Sequence, residues 1–454
     1  MIRAMAYFFT VIFTFFSSAG ILRNGAENWA LDIPVYEGGR ICDEVYLDGS
    51  GILSDAEGPT GKESRMELVG YTTEEDYSQY CGRLEESGFE KVYSNSLGGV
   101  RCDAFKNNGK LYYTYFSFNK NEARIIEDNN SDSFEDFGYS FGEGEGATVY
   151  QFDYPYADFG EHKDEEIYST NGMMYIIKLA DNSLIVIDGG SIRQSSDKNI
   201  DECMKLMRRI TGAAEGEKVN ISLWYGTHGH SDHVTFFYKL LGYCHSEINL
   251  ERVMFNYPSL SLVEHDERID MYRNRLGELC PDVKYLCPHT GMSFNIANAK
   301  IDVLYTQEDA VSALTGKTPV DNANDGSTVC RITAAGKRFL VTGDINVLAQ
   351  DKILSLHDRS EIKCDILQAA HHLYNPIALI YDFADAEYVL CPMSEGRGAW
   401  LPGNASARLF YGRSQMLYAG NAMYIIEMNK DGLTLTEEHS ACVPYDGSSM
   451  NEIR

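Results

Sequence analysis

Positive charge is what this chain is short of. Its 454 residues carry 39 Lys and Arg against 67 Asp and Glu, a formal net charge of −28. A phosphate polyanion is repelled at long range by such a field, and no Lys/Arg cluster marks a local basic cleft, so the composition disfavours duplex nucleic acid as a partner. Long apolar runs are scarce too: beyond the N-terminal stretch, none is long enough to span a bilayer. No internal repeat recurs at a fixed period. A disulfide framework is equally absent, because the eleven cysteines are odd in number and scattered. Cys330 and Cys364 fall inside predicted strands, where a reduced apolar thiol is the usual state.

The one long apolar run is at the start. Arg3, an apolar stretch from Ala4 to Phe16 and then Ser17-Ser18-Ala19 fit a signal peptide or membrane tether over residues 1–28. Export or tethering follows from that pattern; the reduced cysteines favour a cytoplasmic alternative.

Histidine is rare, eleven in all, yet three stand within six positions. THGHSDH, Thr227 to His233, spells H-x-H-x-D-H through His228, His230, Asp232 and His233. Imidazole nitrogen with carboxylate oxygen suits zinc, with manganese or iron as alternatives, better than calcium or magnesium. VNISLWY before it reads as a buried strand and VTFFYKLLG after it as a short helix, so the ligands sit on a strand-to-helix turn. Such a turn aims side chains into a cleft while the sheet holds it.

The rest of the chain divides around that motif. Residues 29–128 read as a small α+β domain: an amphipathic helix capped at Thr72 or Thr73 and stopped by Gly88, then strands VYSNSL, VRCDAF, KLYYTYFSF and ARIIED. Its role is a docking module or a structural appendage. Residues 129–145 read as an acidic linker. From 146 to 454 strands and helices alternate, as in two packed sheets with helices outside. Tyr150, Phe152, Tyr154 and Tyr156 alternate along its first strand, either as one face of that strand or as a platform at a cleft rim. Helices are predicted near Asp197–Thr211, Val263–Leu279, Asn346–His357, Pro376–Ala384 and Ala405–Tyr411.

H-x-H-x-D-H on a strand-to-helix turn resembles the second motif of the metallo-β-lactamase superfamily. The resemblance implies an αββα four-layer sandwich over residues 146–454 and a metal-dependent hydrolase working through a metal-activated water. Asp188, ending LIVIDGG, resembles the first motif, an aspartate that braces the metal loop. Asp344, in FLVTGD, resembles the fourth, an aspartate shared by two ions. Asn324 to Asp344 looks most like the ComEC-type hydrolase branch, as does CDILQAAHH, although His-His-Leu-Tyr replaces that branch's His-His-Gly-Ser.

The resemblance implies His228, His230, Asp232, His233, Asp344 and His371 as metal ligands, with His372 facing substrate or supporting a ligand, and a swap of the two histidines left open. Asp232, His372 and Tyr374 are the candidate catalytic residues, Tyr374 as a donor to the leaving group. The third-motif histidine is missing: Asn322, Asn324 and Asp325 stand in its place, so Asn324 or Asp325 is the expected oxygen ligand. His289 is a remote substitute that reads more simply as an exposed loop histidine. One or two Zn²⁺ ions are implied, or Mn²⁺ or Fe²⁺. The expected substrate is a small-molecule or cell-envelope phosphoester or related ester, with phosphodiesterase activity the leading form. A lactonase, an amidase and a catalytically degenerate binding protein are the alternatives.

Overall fold

The computed structural model describes residues 29–42, 45–46, 64–132, 145–153, 172–257, 275–310, 323–395 and 405–443. The N-terminal run, Tyr154, Tyr156, Asn322 and most of the helix predicted from Val263 lie outside these. Among the described residues no helix is long and apolar enough to cross a membrane.

Three sheets form. The first holds β1 (Arg40–Ile41), β2 (Val45–Tyr46), β3 (Arg65–Gly70), β4 (Glu90–Leu97), β5 (Val100–Asn107), β6 (Lys110–Ser117) and β7 (Glu122–Asp128), in the order β1-β3-β7-β6-β5-β4 with β2 on β3. The Gly98–Gly99 and Asn108–Gly109 turns close its hairpins. Helix α1 (Glu74–Glu86) lies on one face, capped by a reciprocal Thr73–Asp76 box, and buries Tyr77, Tyr80, Cys81 and Leu84. Strand β3 is not among the expected strands, although Arg65-Met66-Glu67-Leu68 alternates polar and apolar and Gly70 ends it.

The second sheet holds β8 (Ala147–Gln151), β9 (Met174–Lys178), β10 (Leu184–Asp188), β11 (Val219–Tyr225), β12 (Ile248–Leu250), β13 (Arg252–Met254) and β14 (Lys284–Leu286). The third runs β15 (Ser293–Ile296), β16 (Ala299–Tyr305), β17 (Val329–Ala334), β18 (Lys337–Val341), β19 (Ile366–Gln368), β20 (Tyr388–Cys391) and β21 (Gln415–Tyr418) in sequence order. The chain then returns through β22 (Met423–Asn429) and β23 (Gly432–Glu438) to the free side of β8.

Alternation at period two divides these strands between layers. In β9, Tyr175 and Ile177 face the third sheet while Met174 and Ile176 face outward. Outside the second sheet lie α2 (Asp197–Thr211) and α3 (Ser231–Cys244), through Ile200, Cys203, Met207, Phe237 and Leu241. Outside the third lie α4 (Val347–Leu356), α5 (Arg359–Ile362), α6 (Ala378–Ala384) and α7 (Ala405–Arg408), with Ala349, Ile353, Ile380 and Tyr381 against Leu340, Leu367 and Val389. Each fully buried Ile, Leu or Met adds about 1.5–3 kcal/mol. The result is an αββα four-layer sandwich with a small α+β unit before it.

That small unit does not stand apart. Met66, Val100, Cys102, Tyr113, Tyr115 and Ile126, on the face of the first sheet away from α1, join the same core as Met292, Phe294 and Ile301. Polar contacts line this seam: Tyr113 Oη donates to the Thr290 carbonyl, Arg124 Nε to the Glu308 carbonyl, and Tyr115 Oη to Asp309 Oδ1. The acidic segment after β7 begins pinned as well, since Asp132 exchanges hydrogen bonds with Tyr285 at the edge of the second sheet. All eleven cysteines are free; Cys330 is buried inside β17 as expected, while Cys364 is buried just before β19 rather than inside a strand, and burial pushes both thiols up.

Candidate metal centre

Parallel pairing fixes where the chemistry collects. Strands β10 and β11 pair in parallel, as do β18 and β19, so in each pair the carboxyl ends lie at the same edge of the sheet. All the sequence-selected histidines and aspartates near those ends follow one of these four strands. The two sheets are tied together there: Thr328 N donates to the Thr227 carbonyl at 2.8 Å, and Tyr225 Oη to the Thr328 carbonyl at 2.5 Å.

Asp188 ends β10 in a left-handed conformation, φ 53°, which is strained for a side chain of this kind. The strain aims its carboxylate across to the next loop. Oδ1 accepts from Thr227 N at 2.7 Å, and Oδ2 from Thr227 Oγ1 at 2.8 Å. Oδ2 is also 2.7 Å from His233 Nδ1. Burial raises the affinity of Asp188 for a proton, and His233 opposes that.

Asp344 is delivered by a tight turn after β18. Gly343 has φ 57°, and a Cβ there would stand 2.8 Å from Ser327 Cβ and 3.0 Å from Thr227 Cβ, so only glycine allows the approach. Gln368 braces this turn by accepting from Thr342 N and donating to the Gly343 carbonyl. Ser327 Oγ accepts from Asp344 N at 3.1 Å.

Three buried imidazoles converge on Asp344, and in each the outward nitrogen is occupied. Nδ1 of His228 meets Thr227 Oγ1 at 3.1 Å, Nδ1 of His233 meets Asp188, and Nδ1 of His372 meets the Pro392 carbonyl at 2.9 Å. An Nδ1–H donated outward leaves the Nε2 lone pair pointing inward, the arrangement by which proteins orient metal-ligating histidines. Asp344 Oδ2 lies 3.8 Å from His228 Nε2, 3.2 Å from His233 Nε2 and 3.6 Å from His372 Nε2. His230 Nδ1 is 3.0 Å from His228 Nε2.

The donors fall into two groups with ligand atoms within 4.8 Å of one another: His228, His230 and Asp344, and Asp232, His233 and His372. Asp344 stands between them. This donor set fits a divalent ion. His233 Nε2 and His372 Nε2 face each other at 3.2 Å, a contact that two lone pairs make only with a proton or cation between them. Asp344 Oδ1 is buried without a hydrogen-bond partner, which leaves one oxygen to serve a cation. Burial works against ionising Asp344, but His233 and His372 outweigh it and hold the carboxyl well below its usual range. Burial, reinforced by His233, holds His228 well below the usual imidazole range, so it is neutral and ready to ligate.

The histidine pair after β19 occupies places opposite to the order favoured from the motif. His372, buried, lies 3.2 Å from Asp232 Oδ2 and groups with Asp232 and His233, whereas His371 is one-third exposed and in neither group, although its Nε2 is 3.9 Å from Asp344 Oδ2. Both residues and Leu373 have positive φ, and this tight coil turns the second imidazole inward. Tyr374 has its ring 5.4 Å from that of His371, at the same rim.

Asn324 and Asp325 are buried in a single turn before β17 (Ala323–Gly326), where the Asp325 carbonyl accepts from Tyr305 Oη at 2.6 Å. Asp325 does not join the His228–His230–Asp344 group of candidate ligands. His289 is not an exposed loop histidine: it is fully buried after β14, at the seam with the first sheet, bonded to Asp128 and Glu308. The orienting Thr227 and Pro392 were missed. Thr227 directly precedes His228, but a backbone carbonyl such as that of Pro392 leaves no sequence signal.

No family model matches the sequence, and no curated protein does. Similar solved structures include the metallo-beta-lactamase fold protein YhfI from Bacillus subtilis, at 13% identity and TM-score 0.38, covering 62% of this chain and all of that one. Another is CmlA, a diiron beta-hydroxylase from Streptomyces venezuelae, at 12% identity and TM-score 0.35, covering 63% of this chain and 54% of that one. A third is BJP-1, a subclass B3 metallo-beta-lactamase of Bradyrhizobium japonicum, at 16% identity and TM-score 0.25, covering 43% and 70%. These likenesses are remote. The αββα architecture stands on this chain's own layers and sheet orders.

Proposed function

We propose that this chain is a metal-dependent hydrolase acting on a phosphoester or related ester bond of a small or cell-envelope molecule. The observation that carries the reading is the convergence of three imidazoles, each fixed at Nδ1 by an oxygen, on the carboxylate of Asp344. His228, His230 and Asp344 would hold one ion; Asp232, His233 and His372 would hold the other, with Asp344 shared. Bound there, divalent ions supply Lewis acidity and bring the pKa of water to about 7. Asp188 keeps His233 oriented, and the partly exposed Asp232 and His371 face the opening where substrate enters. Tyr374, beside His371, would donate to a leaving group. The likeness of the Asn324–Asp344 stretch to the ComEC-type branch supports phosphodiesters, while the net charge of −28 favours a small substrate over a long polyanion.

A binding protein on the same scaffold is the second reading, favoured by the first group having just two imidazoles among the described residues. Metal content and turnover of the purified protein separate the two. Transition metal at His233 and His372 together with hydrolysis of bis-p-nitrophenyl phosphate is expected; bound metal with no turnover of phosphodiesters, lactones or amides would favour the binding protein.

A further inference from the structure

We propose that Asp128, Cys287 and His289 form a second, structural zinc site that clamps the first sheet to the sandwich, independent of the hydrolytic centre. Their ligand atoms lie within 4.8 Å of one another, and all three residues are buried. The mixture of thiolate, imidazole and carboxylate is one that zinc takes in tetrahedral sites. Asp128 is the last residue of β7, whereas Cys287 and His289 lie between β14 and β15, so an ion here joins units more than 150 residues apart in the chain.

The surroundings are built as a ligand shell. His289 Nδ1 is 2.8 Å from Glu308 Oε1, which turns Nε2 towards Asp128. Glu308 Oε1 is itself held by Asn256 Nδ2 at 2.7 Å. Asp128 Oδ1 accepts from Asn130 N and Ser131 N, and Oδ2 from Ser131 Oγ at 2.6 Å, so the carboxylate cannot rotate. Ser131 Oγ also accepts from Cys287 N at 2.9 Å, fixing the cysteine backbone.

The competing account is a bare ion pair, a protonated His289 between two carboxylates. A charge-assisted N–H···O bond is about 2.7–2.9 Å long. The Nδ1 to Glu308 contact, 2.8 Å, fits that range, but the Nε2 to Asp128 Oδ2 separation is 3.2 Å, which matches the edge of a tetrahedron with bonds of about 2.0–2.1 Å, roughly 3.3 Å. An ion pair also gives no reason for the cysteine.

The hydrolytic centre contains no cysteine, so a sulfur signature isolates this site. Full-length protein is loaded with Co²⁺, in the parent and in His228→Ala/His233→Ala. Both are expected to show the near-ultraviolet thiolate-to-cobalt charge-transfer band, and Cys287→Ser to lose it together with one metal equivalent. Zinc X-ray absorption of the double variant, which needs no change at Cys287, is expected to show one sulfur at about 2.3 Å. Absence of both the band and the sulfur shell in folded, metal-supplemented protein would overturn the proposal. A band that survives in folded Cys287→Ser would do the same. Failure of the hydrolytic reading alone would abolish turnover but leave both sulfur signals intact.

Discussion

Asp188 Oδ2 and His233 Nδ1 are 2.7 Å apart, both fully buried, and through this contact the end of β10 sets the direction of an imidazole forty-five residues downstream. The same carboxylate holds Thr227, which in turn meets His228. One side chain therefore orients two of the ligands without touching the ion position itself.

Asp188→Asn keeps the shape but can no longer hold both contacts as an acceptor of charge. Metal affinity at the His233 site is expected to fall about 10–100-fold. Competition with a chromophoric chelator reads this directly, and unchanged affinity would remove Asp188 from the orienting role.

His372→Ala is expected to lose one metal equivalent, whereas His371→Ala retains metal and loses turnover. Elemental analysis beside a hydrolysis assay separates them. Equal metal loss in both variants would place the two histidines in one ligand set.

Asp344→Asn removes the charge shared between the two groups. Metal stoichiometry at the centre is expected to fall towards one and hydrolysis to drop by orders of magnitude. Parental metal content and turnover would dispose of the bridging role.

Deleting residues 1–128 strips one wall from a shared core, exposing the surface that Val100, Tyr113, Tyr115 and Ile126 cover. The truncated chain is expected to be insoluble or to unfold without cooperativity. A soluble fragment with a sharp thermal transition would show that the sandwich closes on its own.

Lys120 sits by the turn from β6 to β7 with its Nζ buried and unpartnered, and burial, helped by nearby Arg124, pulls its pKa down to about 8. The unfolded chain therefore binds more protons between about pH 8 and 10.5, so this residue's contribution to stability rises with pH across that window and its penalty is complete below it. Lys120→Met is expected to stabilise the protein at pH 7 by roughly 2 kcal/mol and to flatten the rise. Denaturant melts at pH 7 and pH 10 measure both effects; a variant less stable at pH 7 would contradict the assignment.

The local sequence determined the strand-to-helix metal turn, helix α2 from Asp197 to Thr211, the capped helix α1 and the hairpin of β17 and β18. In each of these, periodicity and capping or turn residues act within a few positions. Asp188 and Asp344 were legible for the same reason, as acids at strand ends. What tertiary structure decided lies across longer distances. Which of His371 and His372 turns inward depends on three consecutive left-handed residues and on the carbonyl of Pro392, just after β20. Whether residues 29–128 stand apart depends on the second face of a sheet whose partner lies more than 150 residues away. His289, alone among loop residues in the sequence, acquires two carboxylates only when β7 and the segment before β15 meet, because burial and pairing belong to the assembled core rather than to any stretch of chain.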